Sequence, residues 1–345
     1  MNKLDFYEKF AKWQNGDIAD AMCKCSHHYS PSVKNPWHME DDVMTHTEMV
    51  FEQCGDDNSL FIAALCHDIG KLYTRNLNHE KRRASFFGHE CASIQPTIDF
   101  SDYINIKENL KDTLFMVNNH MVFHKATPET LAGYCNYDKE LFEKCAIFSL
   151  ADSKGRISDV KDVRLVEFPS IVSMKASVED ADVIFTCGVP GSGKDYVAEK
   201  LFPNHKIVSF DDIRVHEYLK VFPKDASMAD DALYEKAWNW CRKKIDLTKL
   251  AMNDIIRWHN MGYGVVLANT NCTIAARRQM LHAINTAKMT SSAIFVAVPS
   301  DIFKKRNQER SSRTVPEAAI NRFSKELSVP TMNEGFIATD IILNF

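Results

Sequence analysis

The sequence predicts two domains, an all-α domain followed by an α/β domain with a mainly parallel sheet. The length of 345 residues exceeds what one typical hydrophobic core holds. Up to about residue 160, apolar residues recur three and four apart, which is the helical period. From residue 181, short apolar runs alternate with amphipathic segments, as in βα units. We expect domains at 1–160 and 181–345, joined by a connector at 161–180.

Three segments carry the helical prediction for the first domain. Their apolar side chains lie three and four positions apart, at residues 61–65, 110–117 and 141–148. This spacing places the apolar groups on one face of a helix, where they can form a core.

Five short apolar runs are the predicted strands of the second domain: 183–187, 206–209, 264–268, 293–298 and, as a possible fifth, 341–343. Helical patterns separate them, and parallel strands need such crossover connections. A mainly parallel sheet with helices between its strands follows.

Composition limits the classes of function. A net charge of −4 gives no overall attraction to polyanions, so any contact with nucleic acid must come from local basic clusters. Ten cysteines without regular spacing, and a start without a secretory signal pattern, predict reduced thiols and a cytoplasmic location. We expect no membrane partner, because no apolar window reaches 18 residues. The cluster of Cys23, Cys25, His27 and His28 has no matching second half, so we favour loop or core side chains over a metal knuckle.

A glycine-rich segment follows the first predicted strand and precedes a helix. It fits the phosphate-binding consensus G-x-x-x-x-G-K-[ST] except at the last place, where Asp195 replaces a hydroxyl residue. Main-chain N–H groups of such a turn point at phosphates, and the lysine reaches the outer ones. The segment therefore predicts a nucleoside triphosphate site made of Gly188, Pro190, Gly191, Ser192, Gly193, Lys194 and Asp195.

Further polar groups follow the later strands. The second strand is followed by Ser209-Phe-Asp211-Asp212-Ile-Arg214 and the third by Asn269-Thr-Asn271. A carboxylate beyond the carboxyl end of a parallel strand faces the ligand crevice, where an acceptor hydroxyl needs a base. A basic run over 304–313 precedes Val315-Pro316 and is predicted to form a hinge between two helices.

Together these motifs resemble those of the phage-type polynucleotide 5′-kinase family, over roughly residues 183–340. The resemblance implies ATP and Mg²⁺ as cofactors. It implies that Lys194 contacts the β- and γ-phosphates, and that Asp211 accepts the proton of a 5′-hydroxyl. It also implies that Arg214 contacts an acceptor phosphate, and that Arg306 and Arg310 clamp the donor phosphates from a lid.

Simpler interpretations of these residues stay open. Asp211 or Asp212 could cap a helix, since Asp favours that position. The 304–313 run could be a solvated helix face, and the pair Arg277-Arg278 fits surface charge as well as nucleic-acid contact.

Two positions depart from the kinase pattern at the Mg²⁺ site. Asp195 stands where a hydroxyl residue is usual, and Asn269 stands where the family has an Asp. Our hypothesis is that the carboxylate has changed sides of the ion, so that the total charge of the site is kept. A weakened kinase is the alternative.

The first half contains seven candidate metal ligands. Nitrogen and carboxylate ligands together suit Mn, Fe, Co, Ni or Zn better than Ca or Mg. The candidates are His46, His67, Asp68, His89, His120, His124 and Asp152. Their order, with the doublet His67-Asp68, the pair Gly88-His89 and two histidines four apart, resembles the HD-domain phosphohydrolase superfamily over roughly residues 40–158, and most closely the HD domain of some bacterial tRNA nucleotidyltransferases.

That resemblance implies one or two divalent transition metals. One metal would be held by His46, His67, Asp68 and Asp152. A second would be held by His89, His120 and His124, with Asp68 bridging the two. Metal-activated water would then attack phosphorus in line. Lys71 and Arg156 are candidate phosphate contacts, and an ordinary surface charge is an equally good interpretation of both.

The order of the two halves resembles bacterial HD–Pnk end-healing proteins. That resemblance implies phosphorylation of 5′-hydroxyl ends and removal of a 2′,3′-cyclic or terminal 2′- or 3′-phosphate. The partners would be RNA ends, with DNA as an alternative, and a separate RNA ligase acting downstream. Three alternatives remain: an HD nucleotidase acting on small nucleotides, an RNA-binding protein with a degenerate kinase site, and an HD hydrolase gated by ATP.

Overall fold

The computed structural model describes residues 1–55, 57–160, 163–170, 176–242 and 244–345. The chain divides into two compact units. The first unit comprises Met1–Ser173 and Ser324–Val329, and the second comprises Met174–Phe323 and Pro330–Phe345.

The first unit is helical in its described residues, as the sequence predicts. A short antiparallel hairpin, which the sequence analysis did not predict, interrupts the helices; its strands are β1 (Asn76–Asn78) and β2 (Arg83–Ser85). The helices are α1 (Lys3–Lys12), α2 (Asp17–Lys24), α3 (Val43–Gln53), α4 (Asn58–Cys66), α5 (Lys71–Thr74), α6 (His89–Ala92), α7 (Ile94–Tyr103), α8 (Leu110–Phe123), α9 (Pro128–Tyr134) and α10 (Lys139–Lys154).

Helix α4 lies in the core of the first unit. The side chain of Asp57 caps it by accepting a hydrogen bond from the Ser59 N–H (2.7 Å). Eight of its nine residues are buried, all but Asn58, which explains why its remaining length is apolar on nearly every side. Because α4 ends at Cys66, the next two residues, His67 and Asp68, are delivered into the interior.

The second unit contains a five-stranded parallel sheet, as predicted, with strand order β4-β5-β3-β6-β7. Every strand end lies within two residues of its predicted position. The strands are β3 (Val183–Cys187), β4 (Lys206–Val208), β5 (Val265–Ala268), β6 (Ser291–Ala297) and β7 (Thr339–Leu343).

Helices connect these strands and cover the sheet. All residues of β3 and β6 are buried, which is why both strands read as continuous apolar runs. The helices are α11 (Lys194–Leu201), α12 (Phe210–Val221), α13 (Asp230–Cys241), α14 (Leu247–Asn260), α15 (Ile274–Thr286), α16 (Ser300–Gln308) and α17 (Glu317–Lys325).

The predicted connector at 161–180 falls partly outside the described residues, which omit 161–162 and 171–175. Its described part has no helix or strand over 163–170 and a 3₁₀ turn at Val178–Asp180. Within the described chain, no helix is long and apolar enough to cross a membrane.

Candidate metal centre and phosphate-binding site

The first unit brings six of its seven candidate ligands into two compact groups. One group is His46, His67 and Asp152, and the other is Asp68, His89 and His120. Within each group, one ligand atom from each residue lies within 4.8 Å of the others, and all six residues are buried. These residues come from α3, the end of α4, α6, α8 and α10, so the tertiary fold assembles the cluster.

Gly70 allows the turn after α4 to pack closely against α6. A Cβ atom there would lie 2.0 Å from the His89 carbonyl oxygen, so no larger residue fits. The Gly70 N–H donates to the Ser93 hydroxyl (2.8 Å), and that hydroxyl donates to the His67 carbonyl (2.6 Å). The turn that carries His67 and Asp68 is thereby fixed against the helix that carries His89.

Main-chain carbonyls orient the imidazole rings. In four of the histidines Nδ1 faces a carbonyl oxygen, which fixes the hydrogen on Nδ1 and leaves the Nε2 lone pair for another partner. The four contacts are His46 with Gly155 (3.1 Å), His67 with Ala64 (2.9 Å), His89 with Phe86 (2.8 Å) and His120 with Val117 (2.8 Å).

The Nε2 atoms of these rings face one another. The distance is 3.0 Å between His89 and His120, and 3.4 Å between His46 and His67. Two lone pairs at such a distance repel unless a proton or a metal ion lies between them. Burial holds the pKa of His120 well below its usual value, which disfavours a proton there. The donor set therefore fits divalent metal ions with nitrogen and carboxylate ligands.

Asp68 has the position of a bridging ligand. Its Oδ2 lies 3.4 Å from His67 Nε2 and 3.6 Å from His46 Nε2, while its Oδ1 lies 3.2 Å from His89 Nε2. Burial opposes its ionisation, but His67, Lys71 and His89 hold the pKa of Asp68 well below its usual range. The carboxylate is thus charged and shared by both groups.

Asp152 is the second ionised carboxylate, and His124 lies beside it. Burial opposes the charge of Asp152, yet hydrogen bonds with His124 and His46 keep its pKa well below normal. Its Oδ2 lies 3.0 Å from His124 Nε2. The resemblance grouped His124 with His89 and His120, whereas in this structure His124 is beside the carboxylate of the other group. The reason is local: His124 follows the end of α8 as its C-cap residue.

The two candidate phosphate contacts of this unit differ in environment. Lys71 is buried, and its Nζ lies 2.6 Å from Asp68 Oδ2 and 3.2 Å from His27 Nε2. The surface-charge interpretation therefore does not hold for Lys71. Arg156 stacks on the Trp37 ring, with its guanidinium carbon 5.9 Å from the ring centre.

Glu40 belongs to this site but was missed in the sequence. Its Oε1 lies 3.2 Å from His46 Nδ1 and 2.7 Å from His38 Nδ1, and its Oε2 accepts the Ile157 N–H (2.9 Å). Burial opposes its charge, but the two histidines lower the pKa of Glu40 to about 2. Burial lowers the pKa of His46, yet hydrogen bonds to Asp152 and Glu40 outweigh it and raise that pKa to about 9. Without a metal ion His46 therefore carries a second proton on Nε2, and a bound metal would replace that proton.

The glycine-rich segment of the second unit forms a turn between β3 and α11. Gly191 has φ +84°, and a Cβ atom there would lie 2.6 Å from the Phe303 carbonyl oxygen, so the turn requires glycine. Gly193, with φ +85°, precedes the first residue of α11. N–H groups at the start of a helix have no intrahelical partner and are available to an anion.

Lys194 is held within this turn. Its Nζ donates to the Val189 carbonyl (2.9 Å), and burial lowers its pKa. The Ser192 carbonyl accepts hydrogen bonds from Asn344 Nδ2 (2.7 Å) and Arg306 Nη1 (3.5 Å). Arg306 therefore lies at the turn, as a clamp on donor phosphates requires.

Asp211 lies in the first turn of α12. The cap of that helix is Ser209, whose hydroxyl accepts the N–H groups of Asp211 (3.2 Å) and Asp212 (3.4 Å). The interpretation of either Asp as the cap is therefore wrong, because the preceding serine already fills that role. The Asp211 carboxylate accepts hydrogen bonds from the Tyr234 hydroxyl (2.8 Å) and from Arg214.

Two neighbours define the surroundings of this carboxylate. The Arg214 guanidinium lies 4.0 Å from the centre of the Trp238 ring, a cation–π contact that fixes its direction. Burial and the charge of Asp211 both raise the pKa of the Tyr234 phenol, so the phenol stays a hydrogen-bond donor.

The basic run bends after α16, and its arginines diverge. Arg310 is exposed and contacts the Arg313 carbonyl (3.4 Å). Arg313 pairs with Asp212 (3.2 Å) and Asp230 (3.6 Å). The bend is stabilised by Asn307, whose amide makes hydrogen bonds of 2.9 and 3.0 Å with the main chain of Val315.

The two unusual Mg²⁺-site residues have different surroundings. Asp195 is exposed in the first turn of α11. Asn269 Oδ1 accepts the Phe210 N–H (2.9 Å), so this side chain connects the end of β5 to the helix that carries Asp211.

Arg277 has a structural position that the sequence did not reveal. It is fully buried, and its guanidinium contacts both carboxylate oxygens of Glu334 (2.7 and 2.8 Å) and the Asn271 carbonyl (2.9 Å). The two interpretations considered for it, surface charge and nucleic-acid contact, are both wrong. Its neighbour Arg278 is exposed.

The parallel sheet and the phosphate-binding turn define the class of the second unit. Residues 183–330 match a family described as an AAA domain. This part of the chain is a P-loop kinase-like domain, and a site for ATP with Mg²⁺ follows from that class.

Individual proteins are also similar to the chain. It is 28% identical over 145 residues to a multifunctional CCA protein from Pasteurella multocida (strain Pm70), which covers 36% of this chain and 33% of the relative. It is 30% identical over 138 residues to a multifunctional CCA protein from Actinobacillus pleuropneumoniae serotype 5b (strain L20), covering 35% and 32%. The chain thus spans about a third of the length of these curated relatives. An unliganded sugar kinase crystal structure from Janibacter sp. HTCC2649 matches with a TM-score of 0.32 and 13% identity, covering 47% of this chain and 84% of that one.

Proposed function

We propose that this protein is a bifunctional enzyme that heals broken RNA ends. Its second unit phosphorylates a 5′-hydroxyl with ATP and Mg²⁺, and its first unit removes a 2′,3′-cyclic phosphate or a terminal 2′- or 3′-phosphate. The observation that carries the proposal is the presence, in one chain, of a buried two-group metal cluster and a P-loop unit with an Asp–Arg pair. Many ribonucleases leave a 5′-hydroxyl and a cyclic phosphate, so the two activities treat both sides of one break.

In the proposed kinase, each polar group near the glycine-rich turn has a role. Lys194 neutralises the outer phosphates of ATP, and Arg306 approaches them from α16. Asp211 accepts the proton of the 5′-hydroxyl, and Tyr234 orients its carboxylate. Arg214 binds a phosphate of the acceptor strand, and the exposed Arg310 closes over the donor phosphates.

The hydrolase half uses the buried cluster. His46, His67 and Asp152 would hold one divalent metal, and His89 and His120 a second, with Asp68 shared. Bound metals supply a water activated for attack on phosphorus. Lys71, 2.6 Å from Asp68, keeps that carboxylate ionised and offers a positive charge to the phosphate.

At the Mg²⁺ site we propose that the carboxylate has moved from position 269 to Asp195, so that the total charge is kept. Asp195 and phosphate would repel by about 4 kcal/mol at 4 Å and an effective dielectric of 20. A bound Mg²⁺ would make this contact attractive, and Asn269 would then leave the total charge of the site unchanged. Asp195→Ser and Asn269→Asp alone should each lower phosphoryl transfer, and the double change should restore it. If both single variants keep full activity, the exchange is refuted and Asp195 is an ordinary surface residue.

The cellular setting follows from the chemistry. We place the protein in the cytoplasm, where none of the ten cysteines would need a disulfide, and the healed ends would pass to a separate RNA ligase. DNA ends are the alternative acceptor.

Two measurements test this function against its rivals. Transfer of label from γ-labelled ATP to a 5′-hydroxyl oligonucleotide is expected; if no label is transferred, the second unit is a degenerate kinase that only binds. Release of inorganic phosphate, or opening of the cyclic phosphate, should be faster with cyclic-phosphate RNA than with 2′,3′-cAMP. A preference for 2′,3′-cAMP would instead identify a small-nucleotide hydrolase.

A further inference from the structure

We propose that the β1–β2 hairpin forms a binding surface for single-stranded RNA beside the metal centre. This hairpin surface consists of Lys81, Arg82, Arg83 and Phe87. The proposal rests on the hydrolase function proposed above, and it names the feature that makes a polynucleotide, rather than a free nucleotide, the substrate of that site.

In the sequence, the hairpin lies between Asp68 and His89, two residues of the metal cluster. On one side, α5 begins at Lys71, whose Nζ contacts Asp68 (2.6 Å). On the other side, the Phe86 carbonyl accepts the Nδ1 hydrogen of His89 (2.8 Å). The segments that flank the hairpin are therefore held by residues that contact the cluster, so a strand bound along the hairpin would be able to present its end to that cluster.

The charge of the hairpin is unlike that of the whole chain. Between residues 75 and 87 there are four cationic side chains and one anionic, Glu80, while the chain as a whole carries −4. Arg75 is used internally, donating to the Ser26 and His28 carbonyls (2.9 and 3.0 Å). The other three cations, over 81–83, are exposed and form no ion pair within the described residues. Their charge is available to an external anion.

Phe87 supplies an exposed aromatic ring four residues after Arg83, at the end of the hairpin that leads to His89. Its side chain is 88% exposed, whereas the preceding Phe86 packs inward against Lys71 and His27. Exposed aromatic rings next to cationic side chains are the pattern with which proteins bind single strands, since bases stack on the ring and phosphates meet the cations.

A mononucleotide at the metals would not need three cations on the hairpin. Each cation can meet one phosphate, so the surface matches a strand that extends several nucleotides from its reacting end. The charge complementarity and the exposed ring together favour single-stranded RNA as the occupant.

The first test compares two substrates in the full-length, metal-loaded enzyme. We expect Lys81→Gln/Arg82→Gln/Arg83→Gln to lower the ratio of kcat/KM for a cyclic-phosphate RNA of about twelve nucleotides to that for 2′,3′-cAMP at least about tenfold. The slope of log KM for the RNA against log salt should fall by about 2, since each lost contact with a single strand removes about 0.7. Phe87→Ala should lower the same ratio about tenfold by removing one stacking contact.

The matched control removes the same charge elsewhere in the first unit. Lys9→Gln/Lys12→Gln/Lys139→Gln changes three exposed lysines of α1 and α10 and should leave the ratio unchanged. An unchanged ratio in the hairpin variants, or an equal loss with both substrates, overturns the proposal.

A second readout does not depend on catalysis. The probe is an RNA that has a phosphate at both its 5′ and 3′ ends and a 4-thiouridine near the 3′ end. It should cross-link to the peptide containing residues 81–87, and the hairpin variant should lose that cross-link. Cross-linking without hydrolysis would refute the hydrolase function but retain the surface. Hydrolysis of RNA with no cross-link at this peptide would retain the function and refute the surface.

Discussion

The individual imidazoles of the metal cluster are oriented by groups that a sequence pattern does not reveal. The seven candidate ligands could be selected in the sequence because their order resembles the HD-domain pattern. It missed Glu40, since a single carboxylate in a loop six residues before His46 has no distinguishing spacing. Only the folded chain brings Glu40 to His46 and, through Ile157, to the segment that follows Asp152.

Glu40→Gln should weaken metal binding by about 10- to 100-fold, because a carboxylate behind a metal-binding imidazole raises its basicity and fixes its ring. The measurement is equilibrium dialysis with Mn²⁺ on the purified protein, without substrate. Glu8→Gln, an exposed change on α1, is the control and should bind as the wild type does. Equal affinities of the Glu40 variant and wild type would remove Glu40 from the site.

Asp211→Asn should lower the rate of phosphoryl transfer by about 10² to 10⁴, since the amide cannot accept the hydroxyl proton. ATP binding should change little, because Lys194 and the glycine turn are untouched. Radiolabel transfer gives the rate, and fluorescence titration with a nucleotide gives the affinity.

Asp212→Asn is the matched control, one residue along the same helix and exposed. If the two variants behave alike, Asp211 has no special part in the transfer.

The hydrophobic pattern of the sequence predicts some secondary-structure elements of this chain and misses others. The two central strands β3 and β6 were predictable because burial on both faces makes each a continuous apolar run, and β4, β5 and β7 keep a shorter apolar run beside them. The β1–β2 hairpin was not, because Asn76–Asn78 and Arg83–Ser85 are only three residues long and mostly polar. Likewise, Arg277 in α15 looked like surface charge, since its partner Glu334 lies 57 positions further along the chain.

Removing one partner of this ion pair should destabilise the second unit. Arg277→Met leaves Glu334 charged and nearly buried, which should cost about 3–5 kcal/mol of unfolding free energy. Arg278→Met, the exposed neighbour, should change it by less than about 0.5 kcal/mol. Urea unfolding followed by circular dichroism measures both.

The double change Arg277→Met/Glu334→Leu distinguishes destabilisation by an unpaired charge from destabilisation by lost packing. It should recover most of the loss, because no charge is then left unpaired. A double variant as unstable as Arg277→Met would mean that the loss comes from the Asn271 contact and from packing.

At the scale of the whole molecule, the two proposed chemistries belong to different units. The metal cluster is built entirely from the first unit and the phosphate-binding turn entirely from the second. A change in one site should therefore leave the chemistry of the other intact. Sequence could indicate this division because the hydrophobic period changes from the helical pattern to alternating βα segments near residue 181.

The most direct test offers one RNA with a 5′-hydroxyl and a 2′,3′-cyclic phosphate, together with ATP, Mg²⁺ and Mn²⁺. Both ends are followed by electrophoresis of labelled products. We expect the wild type to heal both ends, Lys194→Ala to heal only the 3′ end, and Asp68→Ala to heal only the 5′ end. Loss of both activities in either single variant, or a wild type that leaves both ends unchanged, would contradict two independent phosphate-handling sites.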